Sequence, residues 1–241
     1  MLTGPHSKSI FTLTIVPLNE KKGPALQHPV SMPRPGLYAI TPDGISADPN
    51  GLDRIQQVIT GGAVLLQYRD EFAECKQRYE FAGAVADLCV REGCRLIIND
   101  DVAIAAACGA AGVHVGADDM PINEAKTMLG PQAIIGASCY NNLDRAAAAV
   151  SAGASYLAFG SVYLSGTKPA AAQCSIETLR SAHRQFNLPL VAIGGITVEN
   201  GAALVAAGVD YLAVIGGLFE QGSEFQQASR FARLFERGSD T

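Results

Sequence analysis

The chain has 241 residues and a net charge of −5, and 48% of its residues are hydrophobic against 17% charged. This much apolar material excludes a disordered polymer, and no apolar stretch is long enough to predict a membrane-spanning helix. No basic stripe or Lys/Arg run is present, which argues against a nucleic-acid partner. The six cysteines show no CxxC or zinc-type spacing, so we expect reduced thiols and a cytoplasmic protein.

Residues 1–31 differ in character from the rest of the chain. They contain Gly23-Pro24 and similar breaks and show no sustained hydrophobic period. Residues 9–17 resemble a signal-peptide core only weakly, because polar residues interrupt them and no clean cleavage site follows. We expect a disordered extension, or a start assigned too far upstream with Met32 as the true first residue. The folded unit is then 32–241.

From Gly36 onward, short apolar runs alternate with stretches of helical spacing. The eight runs are 36–40, 63–68, 95–98, 112–115, 133–137, 155–159, 190–194 and 211–215. Helices are predicted after each run, for example over 73–90, 142–152, 176–186 and 198–206, with stops at Gly93, Gly112, Gly153 and Gly208. Runs that are apolar on both faces indicate parallel strands. Eight such units predict a (β/α)8 TIM barrel; an open doubly wound sheet is the alternative, although no GxGxxG turn follows the first run.

Active sites of such barrels lie at the carboxyl ends of the strands, so polar residues after each run are candidates. Run 2 ends in Gln67 and Arg69, which share one side of the strand. Run 3 ends in Asn99, Asp100 and Asp101, of which one is expected to cap the next helix. Run 4 is followed by an acidic pair that includes Asp119. Carboxylates on two neighbouring strand ends favour a shared Mg²⁺.

The later runs offer hydroxyls, a cation and glycines. Ser138 ends run 5, and no His or Asp lies next to it in sequence that would suggest a nucleophile. The loop after run 6 carries Ser165, Thr167 and Lys168. Runs 7 and 8 end in glycine pairs, Gly194-Gly195 and Gly216-Gly217, which is typical of a phosphate site at these two strands. His114, inside run 4, is interpreted as a packed strand histidine. A phosphate site plus a separate polyanion–Mg²⁺ site indicates a transferase that releases pyrophosphate.

The ordered motifs resemble the thiamine-phosphate synthase family over about residues 36–220. They are LYAITPD, QYRD, IINDD, GVHVGADD, IIGAS, FGSVYLSGTK, VAIGGIT and VIGG. The resemblance implies a (β/α)8 barrel that joins hydroxymethylpyrimidine diphosphate to hydroxyethylthiazole phosphate. It also implies a dissociative reaction, in which pyrophosphate leaves before the thiazole nitrogen attacks.

The resemblance also implies a role for each candidate residue. Asp100 and Asp119 would hold Mg²⁺, and Gln67 would hold the pyrimidine. The diphosphate would contact Arg69, Asn99, Ser138 and Lys168, and the thiazole partner would contact Ser165 and Thr167. The thiazole phosphate would be bound at Gly195, Ile215 and Gly216. Arg69, Ser138 and Lys168 are the catalytic candidates, and homo-oligomer formation is left open.

Two positions depart from the family pattern. Glu71 stands where the family usually has a Lys that faces the diphosphate, and Gly216 stands where a Ser is common. Lys76 or Arg78 could replace the missing charge. Loss of that cation would fit a thiazole tautomerase on the same barrel, and a non-catalytic phosphate-binding barrel is a further alternative.

Overall fold

The computed structural model describes residues 31–164 and 173–236, in which eight parallel strands close into a barrel in chain order. The strands are β1 Gly36–Ile40, β2 Ala63–Tyr68, β3 Arg95–Asn99, β4 Gly112–Val115, β5 Ile134–Tyr140, β6 Tyr156–Gly160, β7 Leu190–Ile193 and β8 Tyr211–Val214. Each pairs in parallel with its neighbour, and β1 pairs with β8 to close the barrel. The predicted (β/α)8 barrel is confirmed, and the open sheet is excluded.

The helices form the outer layer between successive strands. They are α1 Gly51–Thr60, α2 Cys75–Glu92, α3 Val102–Cys108, α4 Ile122–Leu129, α5 Leu143–Ala152, α6 Ile176–Gln185, α7 Val198–Val205, α8 Gly216–Phe219 and α9 Glu224–Ala232. None of the helices in this described part of the chain is both long and apolar enough to span a bilayer.

Two apolar layers hold the barrel together. The larger lies between strands and helices, and the smaller fills the barrel interior with side chains that include Tyr38, Leu65, Ile97, Tyr156 and Tyr211. Alternate residues of each strand therefore point to opposite layers, as strand geometry requires. This alternation explains why the runs are apolar on both faces. A polar side chain at the last inward-pointing position of a strand therefore lies at the barrel mouth.

The helix stops agree with prediction at Gly93 and Gly153, which follow α2 and α5 in the left-handed region. Gly208 lies three residues beyond the end of α7, with a φ of 94°. The predicted stop at Gly112 is wrong. Gly109, with a φ of 68°, ends α3, and Gly112 is the first residue of β4. A Cβ at Gly112 would lie 1.8 Å from a backbone oxygen of β5, so close strand pairing explains that glycine.

A truncated chain that begins at Met32 is expected to fold and keep its activity. Met32 packs against the interior cluster, and the hydroxyl of Tyr211 donates to the carbonyl oxygen of Pro33, so both contacts survive the truncation. The melting temperature should fall by less than about 5 °C, or about 1–2 kcal/mol for a chain of this size. A chain that begins at Gly36 is the control, because it loses both contacts and should melt lower. A larger fall for the Met32 chain would contradict the domain boundary.

Candidate active site at the barrel mouth

The structure brings the predicted residues of strands 2 to 5 together at one end of the barrel. Gln67 is 4% exposed near the end of β2, and Arg69 follows it half-buried. Asn99 is the last residue of β3, and Ser138 lies in β5. The predicted Ser165, Thr167 and Lys168 lie outside the described residues. Arg69, Asn99 and Asp100 line a cavity of about 430 Å³, which also reaches Met120 and Met128.

In the turn after β3, the side chains of Asn99, Asp100 and Asp101 make different contacts. The carboxylate of Asp101 accepts from the backbone N–H of Ile104 at 2.9 Å and so caps α3, as expected for one of the three. Asp100 adopts a φ of 58°, a left-handed conformation that Asp tolerates better than most residues. The side-chain amide of Asn99 donates to Asp100 Oδ2 at 2.6 Å. Asp101 therefore caps α3, and the Asp100 carboxylate is available at the candidate site.

Asp100 and Asp119 form a carboxylate pair across neighbouring strand ends. The pKa of Asp100 is raised to about 7, first by loss of solvent and then by a hydrogen bond and repulsion from Asp119, while Asn99 opposes the shift. Asp119 is fixed by the backbone N–H of Gly116, which donates to its Oδ2 at 2.7 Å. Two carboxylates held this close fit a divalent cation, because its charge removes their repulsion.

Protein ligands for such a cation are few. Within residues 31–164 and 173–236, no group of three or more His, Cys, Asp or Glu side chains is arranged to hold a metal. Mg²⁺ commonly takes one or two carboxylates and completes its octahedron with water and substrate phosphate oxygens. The pair therefore offers two carboxylates, which is within the number of protein ligands that Mg²⁺ commonly takes.

Arg69 is held by two carboxylates. Its Nη1 donates to Asp43 at 2.8 Å and its Nη2 donates to Glu71 at 2.6 Å. Asp43 also accepts from the backbone N–H of Glu71 at 2.8 Å, so the three groups form one unit. Glu71 thus lies on the guanidinium that the diphosphate is predicted to use. Glu71 also contributes to the raised pKa of Asp100, which places its charge near the carboxylate pair.

The two suggested substitute cations occupy different surroundings. Lys76 is exposed and lies 3.8 Å from Glu80 on its own helix. Arg78 lines the cavity, but its Nη2 lies 3.5 Å from Asp101. Of the two, only Arg78 lines the cavity, so it stays the candidate for the missing charge.

A chain of hydrogen bonds crosses the barrel interior below the mouth. The amide nitrogen of Gln67 donates to the hydroxyl of Tyr38 at 2.8 Å, and that hydroxyl lies 2.8 Å from the hydroxyl of Tyr156. The hydroxyl of Tyr156 lies 3.0 Å from Nδ1 of His114, whose Nε2 lies 2.9 Å from Ser138 Oγ. Burial lowers the pKa of His114 to about 4, so its ring is neutral near pH 7. His114 is thus a packed strand histidine, as predicted, and it also joins two candidate site residues.

The opposite side of the mouth carries the glycine turns. Ile193 of β7 pairs with Ala213 of β8, which brings the segments holding Gly195, Ile215 and Gly216 side by side. Gly195 has a φ of 61°, and a Cβ there would lie 2.4 Å from the carbonyl oxygen of a loop residue after β6. The close approach of that loop and the positive φ together require glycine at position 195.

Sequence reasoning missed three residues of this arrangement. Asp43 follows β1, and applying the strand-end rule to that strand would have found it. Tyr38 and Tyr156 lie inside apolar runs, where a tyrosine is indistinguishable from a core residue. The signal for Tyr156 was Gly136 in IIGAS, because a Cβ at Gly136 would lie 2.0 Å from the Tyr156 ring. The requirement for space becomes visible only once β5 and β6 are paired.

Comparison with known proteins shows the family to which the chain belongs. Residues 37–218 match the family described as thiamine monophosphate synthase. The thiamine-phosphate synthase of Thioalkalivibrio sulfidiphilus is 48% identical over 83% of this chain and 95% of its own, and that of Methylobacillus flagellatus is 49% identical over 84% and 96%. The solved thiamine phosphate pyrophosphorylase of Pyrococcus furiosus superposes with a TM-score of 0.76 at 32% identity, covering 84% of this chain and 96% of its own. The chain belongs to the thiamine monophosphate synthase family.

Proposed function

We propose that this transferase of the thiamine-phosphate synthase family joins hydroxymethylpyrimidine diphosphate to hydroxyethylthiazole phosphate by a dissociative, Mg²⁺-assisted reaction. The products are thiamine phosphate and pyrophosphate. The observation that carries the proposal is the Asp100–Asp119 carboxylate pair, because Asp100 lines the same cavity as Arg69 and Asn99 and these groups suit a diphosphate that brings a metal ion.

The diphosphate end of the reaction is assigned to the residues of β2 to β5. Arg69, the Asn99 amide and the Ser138 hydroxyl would donate to phosphate oxygens. Mg²⁺ held by Asp100 and Asp119 would supply positive charge to the leaving group. Charge stabilisation of this kind is the main requirement when a C–O bond breaks before the new bond forms.

The reacting carbon needs no nucleophile or strong base from the protein. Departure of pyrophosphate breaks the bond between the pyrimidine methylene carbon and the diphosphate oxygen, and the oxygen keeps the electron pair. The resulting cation is stabilised by the pyrimidine, and the lone pair of the thiazole nitrogen forms the C–N bond. Gln67 would hold the pyrimidine, and the neutral His114 does not compete as a nucleophile because both of its ring nitrogens face hydrogen-bond partners.

The thiazole phosphate is assigned to the β7 and β8 turns. The backbone around Gly195, Ile215 and Gly216 would bind its phosphate, and Ser165 and Thr167 of the loop after β6 would contact the thiazole. Lys168 of the same loop would contact the diphosphate. Gly216, which stands where the family commonly has Ser, is compatible with this assignment, because backbone N–H donors do not depend on the side chain.

The proposed location is the cytoplasm. All six cysteines lie in the described residues as free thiols, a state that reducing compartments maintain. Both substrates are small phosphorylated molecules, and the mouth residues described here account for their anionic groups without a macromolecular partner.

Release of pyrophosphate distinguishes the synthase from its two alternatives. With Mg²⁺ present, we expect release only when both substrates are supplied together, because net turnover requires capture of the pyrimidine cation by the thiazole. A tautomerase would isomerise the thiazole phosphate alone and release no pyrophosphate. A binding protein would retain both ligands without turnover. Either of these outcomes would overturn the proposed function.

A further inference from the structure

The hydrogen-bonded chain through the barrel ends at two proposed substrate contacts. Gln67 lies at one end and Ser138 at the other, and Tyr38, Tyr156 and His114 connect them with distances between 2.8 and 3.0 Å. The rings are also fixed by packing. His114 stacks on Tyr156 with ring centroids 5.6 Å apart, and Tyr38 meets Tyr156 edge-on at 5.9 Å.

Of the two possible orders of donors, only one gives both tyrosine hydroxyl hydrogens in this chain an acceptor among the contacts of the described residues, because the reverse order leaves the Tyr38 hydroxyl hydrogen without one. The Gln67 amide N–H donates to Tyr38, so the Tyr38 hydroxyl donates onward to Tyr156. A hydroxyl has one hydrogen, so Tyr156 then donates to His114 Nδ1. A neutral imidazole that accepts at Nδ1 carries its hydrogen on Nε2 and donates to Ser138 Oγ.

The order of donors decides what each end offers a ligand. Ser138 accepts from His114, so its own hydrogen is available for an anion. Gln67 donates a side-chain N–H to Tyr38, and its side-chain carbonyl oxygen is available to accept from a donor on the pyrimidine. In the reverse order Ser138 would donate to His114 and present only lone pairs to a phosphate oxygen, which is repulsive.

We propose that Gln67, Tyr38, Tyr156, His114 and Ser138 form a directional hydrogen-bond relay, in which His114 and Tyr156 are positioning residues that keep Ser138 a donor toward the diphosphate. This inference rests on the proposed function, because it needs an anionic ligand at Ser138. It assigns a role to Tyr38 and Tyr156, whose side chains are buried in the barrel interior. It also explains why Gly136 leaves room for the Tyr156 ring.

A double-mutant cycle tests the relay. Tyr156→Phe removes the hydroxyl that donates to Nδ1 and keeps the ring. We expect kcat/KM for the pyrimidine diphosphate to fall about tenfold, with KM for the thiazole phosphate unchanged within about twofold. In a Ser138→Ala background the same substitution should change kcat/KM by less than about twofold, because the group that the relay orients is gone. Single-turnover kinetics with excess enzyme measure the slower variants.

Tyr211→Phe is the matched control. It also removes a buried tyrosine hydroxyl from a barrel strand, but that hydroxyl donates to the Pro33 carbonyl and lies outside the relay. It should leave kcat/KM within about twofold in both backgrounds. If Tyr156→Phe does not fold, His114→Phe removes both links of the histidine and is measured in the same two backgrounds, with the same pattern expected.

The outcomes separate the relay from the function on which it rests. Equal losses in both backgrounds would show that Tyr156 acts elsewhere, and the relay would be rejected. Loss in neither background would reject it as well. A wild-type protein that makes no thiamine phosphate would overturn the proposed function itself, whereas an active wild type with an additive cycle would overturn only the relay.

Discussion

Replacing Asp119 with alanine is expected to reduce turnover by two or more orders of magnitude and to raise the Mg²⁺ concentration needed for activity. The loss corresponds to about 3 kcal/mol of charge stabilisation at the leaving group. It follows from the position of Asp119, which raises the pKa of Asp100 and is fixed by the Gly116 N–H. Wild-type activity should also vanish in chelator and return when Mg²⁺ is added. Steady-state kinetics across a Mg²⁺ titration measure both effects.

Two further substitutions separate the metal from the local fold. Asp119→Asn keeps an acceptor for the Gly116 N–H but removes the negative charge, so it should resemble Asp119→Ala. Asp118→Ala removes an exposed carboxylate one residue away and should leave turnover within about twofold. Full activity of the wild-type protein in chelator would reject the proposed metal site.

Glu71→Lys is expected to speed the reaction by roughly ten- to a hundredfold, measured as kcat/KM for the diphosphate substrate. The change makes the mouth two charges more positive. At roughly 8 Å and an effective dielectric constant of about 20, each unit charge is worth on the order of 2 kcal/mol. Solvent and salt reduce the total to about 2 kcal/mol, or about thirtyfold. The wild-type protein should accordingly be a slow synthase.

The contacts of Glu71 give the physical reason for this prediction. Its carboxylate lies 2.6 Å from Arg69, so a diphosphate must displace it before using that edge of the guanidinium. Asp43 remains to hold the other edge after substitution. The neutral variant Glu71→Gln should fall between wild type and Glu71→Lys.

The control for Glu71→Lys is the same charge change outside the site. Glu74→Lys lies three residues further on at the start of α2, where the Glu74 side chain makes no capping hydrogen bond. It should change kcat/KM by less than about threefold at moderate salt, and the gain from Glu71→Lys should shrink as salt is raised. An unchanged rate for Glu71→Lys, together with a loss on replacing Arg78 by alanine, would show that Arg78 supplies the missing cation.

The alternation of apolar runs and helical stretches was enough to predict the barrel, because each unit carries a local signal. Element ends were harder. The fifth strand was predicted to stop at Ala137 but continues to Tyr140, since an irregularity between Ser138 and Tyr140 lets pairing with β6 resume. Such an irregularity depends on the neighbouring strand and leaves no pattern within the run itself.

The candidate site was predictable where a residue follows its strand directly. Asp100 and Asp119 are one unit apart in sequence, and the parallel topology alone places them together. The same rule applied to β1 and β2 would have paired Asp43 with Arg69. The Tyr38–Tyr156 contact was not predictable in this way, because it joins β1 to β6 across the barrel, and a buried tyrosine is indistinguishable from an apolar core residue until its hydroxyl finds a partner.

The most direct test of the central claim is to identify the product. Purified protein should be incubated with both substrates and Mg²⁺, and the mixture analysed by mass spectrometry for thiamine phosphate. We predict thiamine phosphate and pyrophosphate in equal amounts, no product when either substrate is omitted, and none in chelator. Absence of thiamine phosphate with all components present, or an isomerised thiazole phosphate as the sole product, would contradict the account.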